Sequence, residues 1–165
     1  MIDAVDRLIA EWRGERPELD CAALAIVVRV QLLGKLLRRD AEKALRPLHL
    51  KLWEYDVLSA LRRQGAPYRL SASALARSAM LTSGAMTTRI DRLEERGWVR
   101  REPDPEDRRG VQVRLTHAGI ALIDQAIGAR LTAADEQLGQ LSPEERETVA
   151  SSLRKLLVAQ HPGSA

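Results

Sequence analysis

Hydrophobic positions fall into helical spacing along most of the chain. Ile2, Val5, Leu8, Ile9 and Trp12 recur every three or four residues. Gly14 offers that helix an end, and Arg16-Pro17 separates it from the next. Asp20 is placed to cap a long helix from about Cys21 to Leu45, with Leu24, Val27, Val28, Leu33, Leu36 and Leu37 apolar, and Pro47 stops it. Leu50 to Arg63 reads as a third helix, closed by Gly65-Ala66-Pro67. Two short helices follow. The first spans Ser71 to Arg77, with Leu75 and Ala76 inward. The second is capped by Thr82 or Ser83, runs to Arg96 and stops at Gly97.

Beyond Gly97 the period changes. Trp98 and Val99, then Val111, Val113 and Leu115, suit two strands. The segment REPDPEDRRG, residues 101–110, joins them. Pro103 and Pro105 stiffen the outgoing strand, Asp104, Glu106 and Asp107 favour a turn, and Gly110 lets the chain re-enter. Thr116 caps a helix to about Leu138. Ser142-Pro143-Glu144-Glu145 is a capping box before a last helix striped by Val149, Leu153, Leu156 and Leu157. The expected fold is mainly α: a winged helix-turn-helix with a two-stranded β wing, flanked by long helices at both ends.

Composition narrows the function. The 165 residues are 45% hydrophobic and 30% charged, with only 3% aromatics and no Phe, so the core must be aliphatic and favours helix packing. No run is long and apolar enough to span a bilayer, and the acidic N-terminus lacks a signal-peptide cleavage site. One Cys precludes an internal disulfide, and one Cys with three His offers no metal-ligand spacing. The cytoplasm is the expected setting, with no metal and no cofactor. His49, His117 and His161 are scattered, and neither a nucleophilic triad nor a Gly-rich phosphate loop is visible, which argues against an enzyme.

Charge is informative through its distribution. From Val57 to Ile90 there is no acid but five arginines, Arg62, Arg63, Arg69, Arg77 and Arg89, so this stretch is +5 within a chain of net charge +3. A basic, acid-free segment is an electrostatic footprint for phosphate, or simply a solvated face. The second short helix is the one placed to enter a major groove. At about 100° per residue, Met86, Ile90 and Leu93 share an inward face. Gly84, Thr88, Asp91 and Arg92 lie opposite, with Thr87 at the edge. The first turn, TSGAMTT, is small and hydroxylated, which suits close approach to DNA. An ordinary amphipathic helix with Ser and Thr as caps would look the same. The hairpin favours DNA: it displays Arg108 and Arg109 beside that helix, placed for an adjacent minor groove. The expected DNA-binding residues are Ser83, Thr87, Thr88, Arg92, Arg108 and Arg109.

The run LEERGWVRR, the wing Asp107-Arg108-Arg109 and the segment Leu115 to Gly119 (LTHAG) together resemble the core of the MarR family of bacterial transcriptional regulators. The resemblance implies an obligate homodimer with intertwined terminal helices, bound to a pseudo-palindromic double-stranded operator, with no membrane partner. It also implies one MarR-like domain over 1–165: dimerisation helices at 1–45 and 117–160, and a DNA-binding core at 50–116. The apolar stripes at both ends agree with this, because a monomer would expose them.

The first helix, ending EWRGERPELD, resembles the urate- and purine-responsive branch of that family, in which an added N-terminal helix contributes a Trp to a ligand site. Matched by residue, that site is Trp12, Asp56, Arg89 and Arg101, and it implies a small anionic aromatic, urate-like ligand that releases a repressor from DNA. The residues support this. Arg89 falls at the border of the buried face, aimed at a pocket rather than at DNA. Asp56, among Trp53, Val57 and Leu58, is expected to be partly buried and to need a cation or ligand. Core packing of Trp12 and a structural Asp56–Arg89 pair are the plain alternatives. Cys21, at a helix N-terminus, is a redox candidate, with a buried small hydrophobe as its plain reading. A DNA-binding module without a ligand remains the third possibility.

Overall fold

The computed structural model describes residues 2–104 and 110–160. The chain divides into two compact units, residues 1–43 and 44–165.

The first unit holds α1 (Ala4–Glu15) and most of α2 (Ala22–Leu45). Asp3 caps α1, accepting from the amides of Val5 and Asp6 at 2.8 Å, while Asp6 accepts from the Asp3 amide at 2.9 Å. Arg29 of α2 clamps both acids, at 2.9 Å from Asp3 and 2.6 Å from Asp6. These bonds, led by the one from Arg29, hold the Asp3 carboxyl below its ordinary value. Gly14 does not end α1, which runs one residue further before Arg16 closes it with an N–H to Trp12 O at 2.7 Å. Val5, Ile9 and Cys21 form a small core with Leu8, Ala25 and Val28. Asp20 accepts from the Ala22 amide at 2.9 Å where α2 begins.

The second unit starts at the end of α2, where Arg46-Pro47-Leu48 makes a 3₁₀ turn. It continues through α3 (Leu52–Arg62), β1 (Arg69–Ser71), α4 (Ala72–Ser78), α5 (Ser83–Glu95), β2 (Val99–Pro103), β3 (Val111–Leu115), α6 (His117–Gln137) and α7 (Pro143–Gln160). Strand β1 went unforeseen in the sequence. It makes the expected hairpin into a three-stranded antiparallel sheet of order β1-β3-β2, with Leu70 opposite Val113 and Arg101 also opposite Val113. Three residues are too few for an alternating pattern to stand out.

Side chains from the end of α2, from α3 to α6 and from the sheet close one core. Leu45, Leu58, Leu61, Leu75, Leu93, Val113 and Ile123 have no solvent exposure. Thr116 caps α6 by accepting from the Gly119 amide at 3.0 Å and donates to Gly97 O at 2.7 Å, tying the helix start to the end of α5. Ser142 and Glu145 bond reciprocally to open α7, at 3.2 and 2.8 Å.

Candidate nucleic-acid interface and ligand cavity

Helix α5 is positioned from both ends. Thr82 is its cap, accepting from the Ala85 amide at 3.3 Å, and Ser83 is the first helical residue. At the far end Gly97 takes φ 71°, which lets the Trp98 amide reach back to Leu93 O at 3.0 Å. Met86, Ile90 and Leu93 anchor the helix in the core with 1% exposure or less. The opposite face is open: Ser83, Gly84, Thr87, Thr88, Asp91 and Arg92 are all exposed. Thr87 and Thr88 donate their hydroxyls to the carbonyls of Ser83 and Gly84, at 2.9 and 3.2 Å. Their oxygens stay available as acceptors on that face. No atom lies within 4 Å of where a Gly84 side chain would begin. Before α5, Met80 adopts φ 51° and the Leu81 amide bonds Ala76 O at 2.9 Å, so the turn between α4 and α5 is tight. The wing residues Arg108 and Arg109 lie outside the described residues.

Strand β2 is locked onto α5 by Arg101. Its guanidinium bonds both Asp91 and Glu94, and its amide donates to Glu94 Oε1 at 2.8 Å. Burial opposes the charge of Arg101, but the bonds to Asp91 and Glu94 outweigh it and raise its pKa above the ordinary arginine value. The family resemblance groups Arg101 with Arg89, Asp56 and Trp12. Arg101 instead spans α5 and the wing base and does not line the cavity that Arg89 and Asp56 share.

That cavity, about 350 Å³, lies between α3, α4 and α5. Asp56 and Arg89 line it, together with Tyr55, Arg63, Ser78 and Met80. It falls within the usual size range of small-molecule sites. The Arg89 guanidinium lies 5.2 Å from the centre of the Trp53 ring of α3, which turns it toward that helix. Asp56 departs from expectation, being exposed at the cavity rim rather than partly buried. The helical period explains this: Glu54, Val57, Leu58 and Leu61 share the inward face of α3, and Asp56 falls on the side turned away from it.

The buried acid of α3 is Glu54, at 3% exposure. It accepts from the Lys51 amide at 2.7 Å and from Arg96 at 3.2 Å, and Arg96 stacks over Trp98 at 3.8 Å. Its position at the third residue of α3, in phase with Val57 and Leu58, was the available signal. Arg63, a second cation in the cavity, had only the acid-free charge run to mark it.

In the first unit, Trp12 is 44% exposed on α1. Cys21 is 6% exposed beneath Val5 and Ile9, with its sulfur 3.8 Å from Leu19 O. Among the described residues, no group of three His, Cys, Asp or Glu side chains is placed to hold a metal, and no helix is long and apolar enough to cross a membrane.

A family model described as the MarR family matches residues 50–111. The HTH-type transcriptional regulator PecS of Dickeya dadantii (strain 3937) is 35% identical over 153 residues, covering 93% of this chain and 90% of PecS. The multiple antibiotic resistance protein MarR of Escherichia coli (strain K12) is 33% identical over 135 residues, 76% of this chain and 90% of MarR. A mutant E. coli MarR complexed with operator DNA superposes with a TM-score of 0.71 at 26% identity, over 88% of this chain and 97% of that one. AbsC from Streptomyces coelicolor shares the fold, with a TM-score of 0.77 at 24% identity over 87% of this chain and 97% of AbsC.

Proposed function

The chain belongs to the MarR family of DNA-binding transcriptional regulators, and from that membership we propose that it is a homodimeric repressor released from a pseudo-palindromic operator by a small anionic aromatic ligand of the urate type. Its relatives are transcriptional regulators rather than enzymes. In this reading α5 is the recognition helix, with Ser83, Thr87, Thr88 and Arg92 meeting the major groove. Arg108 and Arg109 of the wing enter the adjacent minor groove.

One observation carries the ligand reading: Arg89 belongs to α5 and lines the cavity that Asp56 and Arg63 also line. An anionic purine there attracts Arg89 and Arg63 through its oxygens, while its ring N–H groups donate to Asp56. Arg89 is rigidly attached to α5, so any pull on it is a pull on the reading head. A tenfold loss of DNA affinity requires only about 1.4 kcal/mol of ligand preference for the incompetent state. One or two charge-assisted hydrogen bonds supply that.

The test is a gel-shift titration of the operator complex with urate, on wild type, Asp56→Asn and Arg89→Gln. Wild type is expected to release DNA with rising urate, and both variants to bind DNA yet need about tenfold more urate. Variants that release DNA at the wild-type urate concentration would remove the cavity from the mechanism while leaving the DNA reading intact. Absence of any urate effect on wild type would reject this ligand class.

A further inference from the structure

The outer face of the sheet carries a second concentration of charge. In register, Arg69 of β1 stands opposite Arg114 of β3, and Arg114 stands opposite Arg100 of β2. Alternation along the strands puts these three residues on one face, opposite to Leu70, Val113 and Arg101. With strands roughly 4.8 Å apart, the row is about 10 Å wide. Like charges directly across a ladder are destabilising, so the row has a cost that a counter-anion would relieve. Among the described residues the carboxylate paired with this row is Glu102, 2.5 Å from Arg100 and 3.5 Å from Arg114. Three guanidiniums against one carboxylate leave the row positive.

A cavity of about 320 Å³ opens beside it, lined by Arg100, Arg114, Tyr68, Thr116, His117 and Ile120 among others. It shares no lining residue with the cavity of Asp56 and Arg89.

We propose that this face is a phosphate-oxyanion site, with Arg100 and Arg114 as its fork, Arg69 extending it and Glu102 as a built-in competitor. Guanidinium forks on neighbouring strands match the oxygens of one phosphate, and a phosphate can accept from both forks at once. The phosphate has to draw Arg100 and Arg114 away from Glu102, so the carboxylate sets the affinity. Two sources present the same group: a backbone phosphate of DNA flanking the α5 contact, or a free phosphorylated molecule.

Calorimetric titration with inorganic pyrophosphate, without DNA, reads the free source. A salt titration of binding to a mixed-sequence duplex reads the backbone source. The Arg100→Gln/Arg114→Gln double variant is expected to weaken binding about tenfold in whichever titration reports the true source. For DNA, the log–log salt slope should also fall by about 0.9 for each phosphate that the variant no longer neutralises. Glu102→Gln should tighten binding several-fold in that same titration, a gain that misfolding would not produce. Unchanged affinities in both titrations for both altered proteins, or weaker binding by Glu102→Gln, would overturn the proposal.

Discussion

At Gly119 a single hydrogen atom decides whether the second unit closes. A Cβ there would stand 2.0 Å from the Trp98 carbonyl oxygen. The same oxygen accepts from the Thr116 amide at 3.0 Å and from the Thr116 hydroxyl at 3.2 Å, so neither backbone can retreat without breaking the joint between α6 and the wing. We expect Gly119→Ala to destabilise the protein by about 1–3 kcal/mol, in the manner of overpacking a tight core. Urea denaturation would show this as a lower midpoint. Gly139→Ala is the comparison, because its nearest neighbouring atom is 3.3 Å from the added carbon and its destabilisation should be smaller.

At the scale of the element, α5 separates stability from reading. Its first turn has Gly84 facing open space on the exposed side. Alanine is the better helix former by about 0.8–1 kcal/mol, so Gly84→Ala should raise thermal stability modestly. If the backbone of this turn approaches DNA as proposed, the added methyl should weaken operator binding at the same time. Differential scanning calorimetry and gel shift on one preparation would check both. A more stable protein with unchanged DNA affinity would place Gly84 away from the DNA. The same helix is tethered by Arg101 to β2 and bears Arg89 on the cavity side, so displacement at either point is carried along its length.

The whole molecule displays apolar side chains that no single chain covers well. On α7, Val149, Leu153, Leu156 and Leu157 follow one stripe and all stay exposed, Leu157 at 64%. On α2, Leu24, Val27, Leu33 and Leu36 are exposed as well, though not along a single stripe. Exposed apolar surface of this extent marks an interface, and in the homodimer proposed above its occupant is a second copy of the chain. Leu153→Asp with Leu156→Asp should shift the protein toward monomer in sedimentation velocity. The monomer should also lose operator affinity, because recognition helices must sit about 34–36 Å apart to read adjacent major grooves. A variant that stays dimeric would exclude the α7 stripe as the interface.

By itself the sequence determined what local spacing controls. The faces of α5, the caps at Thr82, Thr116 and Ser142, and the hairpin strands all follow from periods of two to four residues and from hydroxyls next to free amides. The inward place of Glu54 and the outward place of Asp56 obey the same period. Asp56 has apolar sequence neighbours, yet its rotation about the helix, and not their company, sets its exposure. Only the tertiary structure decided the rest. Strand β1 exists because β3, some forty residues on, supplies its ladder. Arg96 finds Glu54 across 42 residues, and Arg101 finds acids on a helix that precedes it. The Asp56–Arg89 cavity is bounded by three helices, and the arginine row on the sheet by three strands. Such sites depend on which distant segments fold against one another, and side-chain spacing within one segment carries no record of its future neighbours.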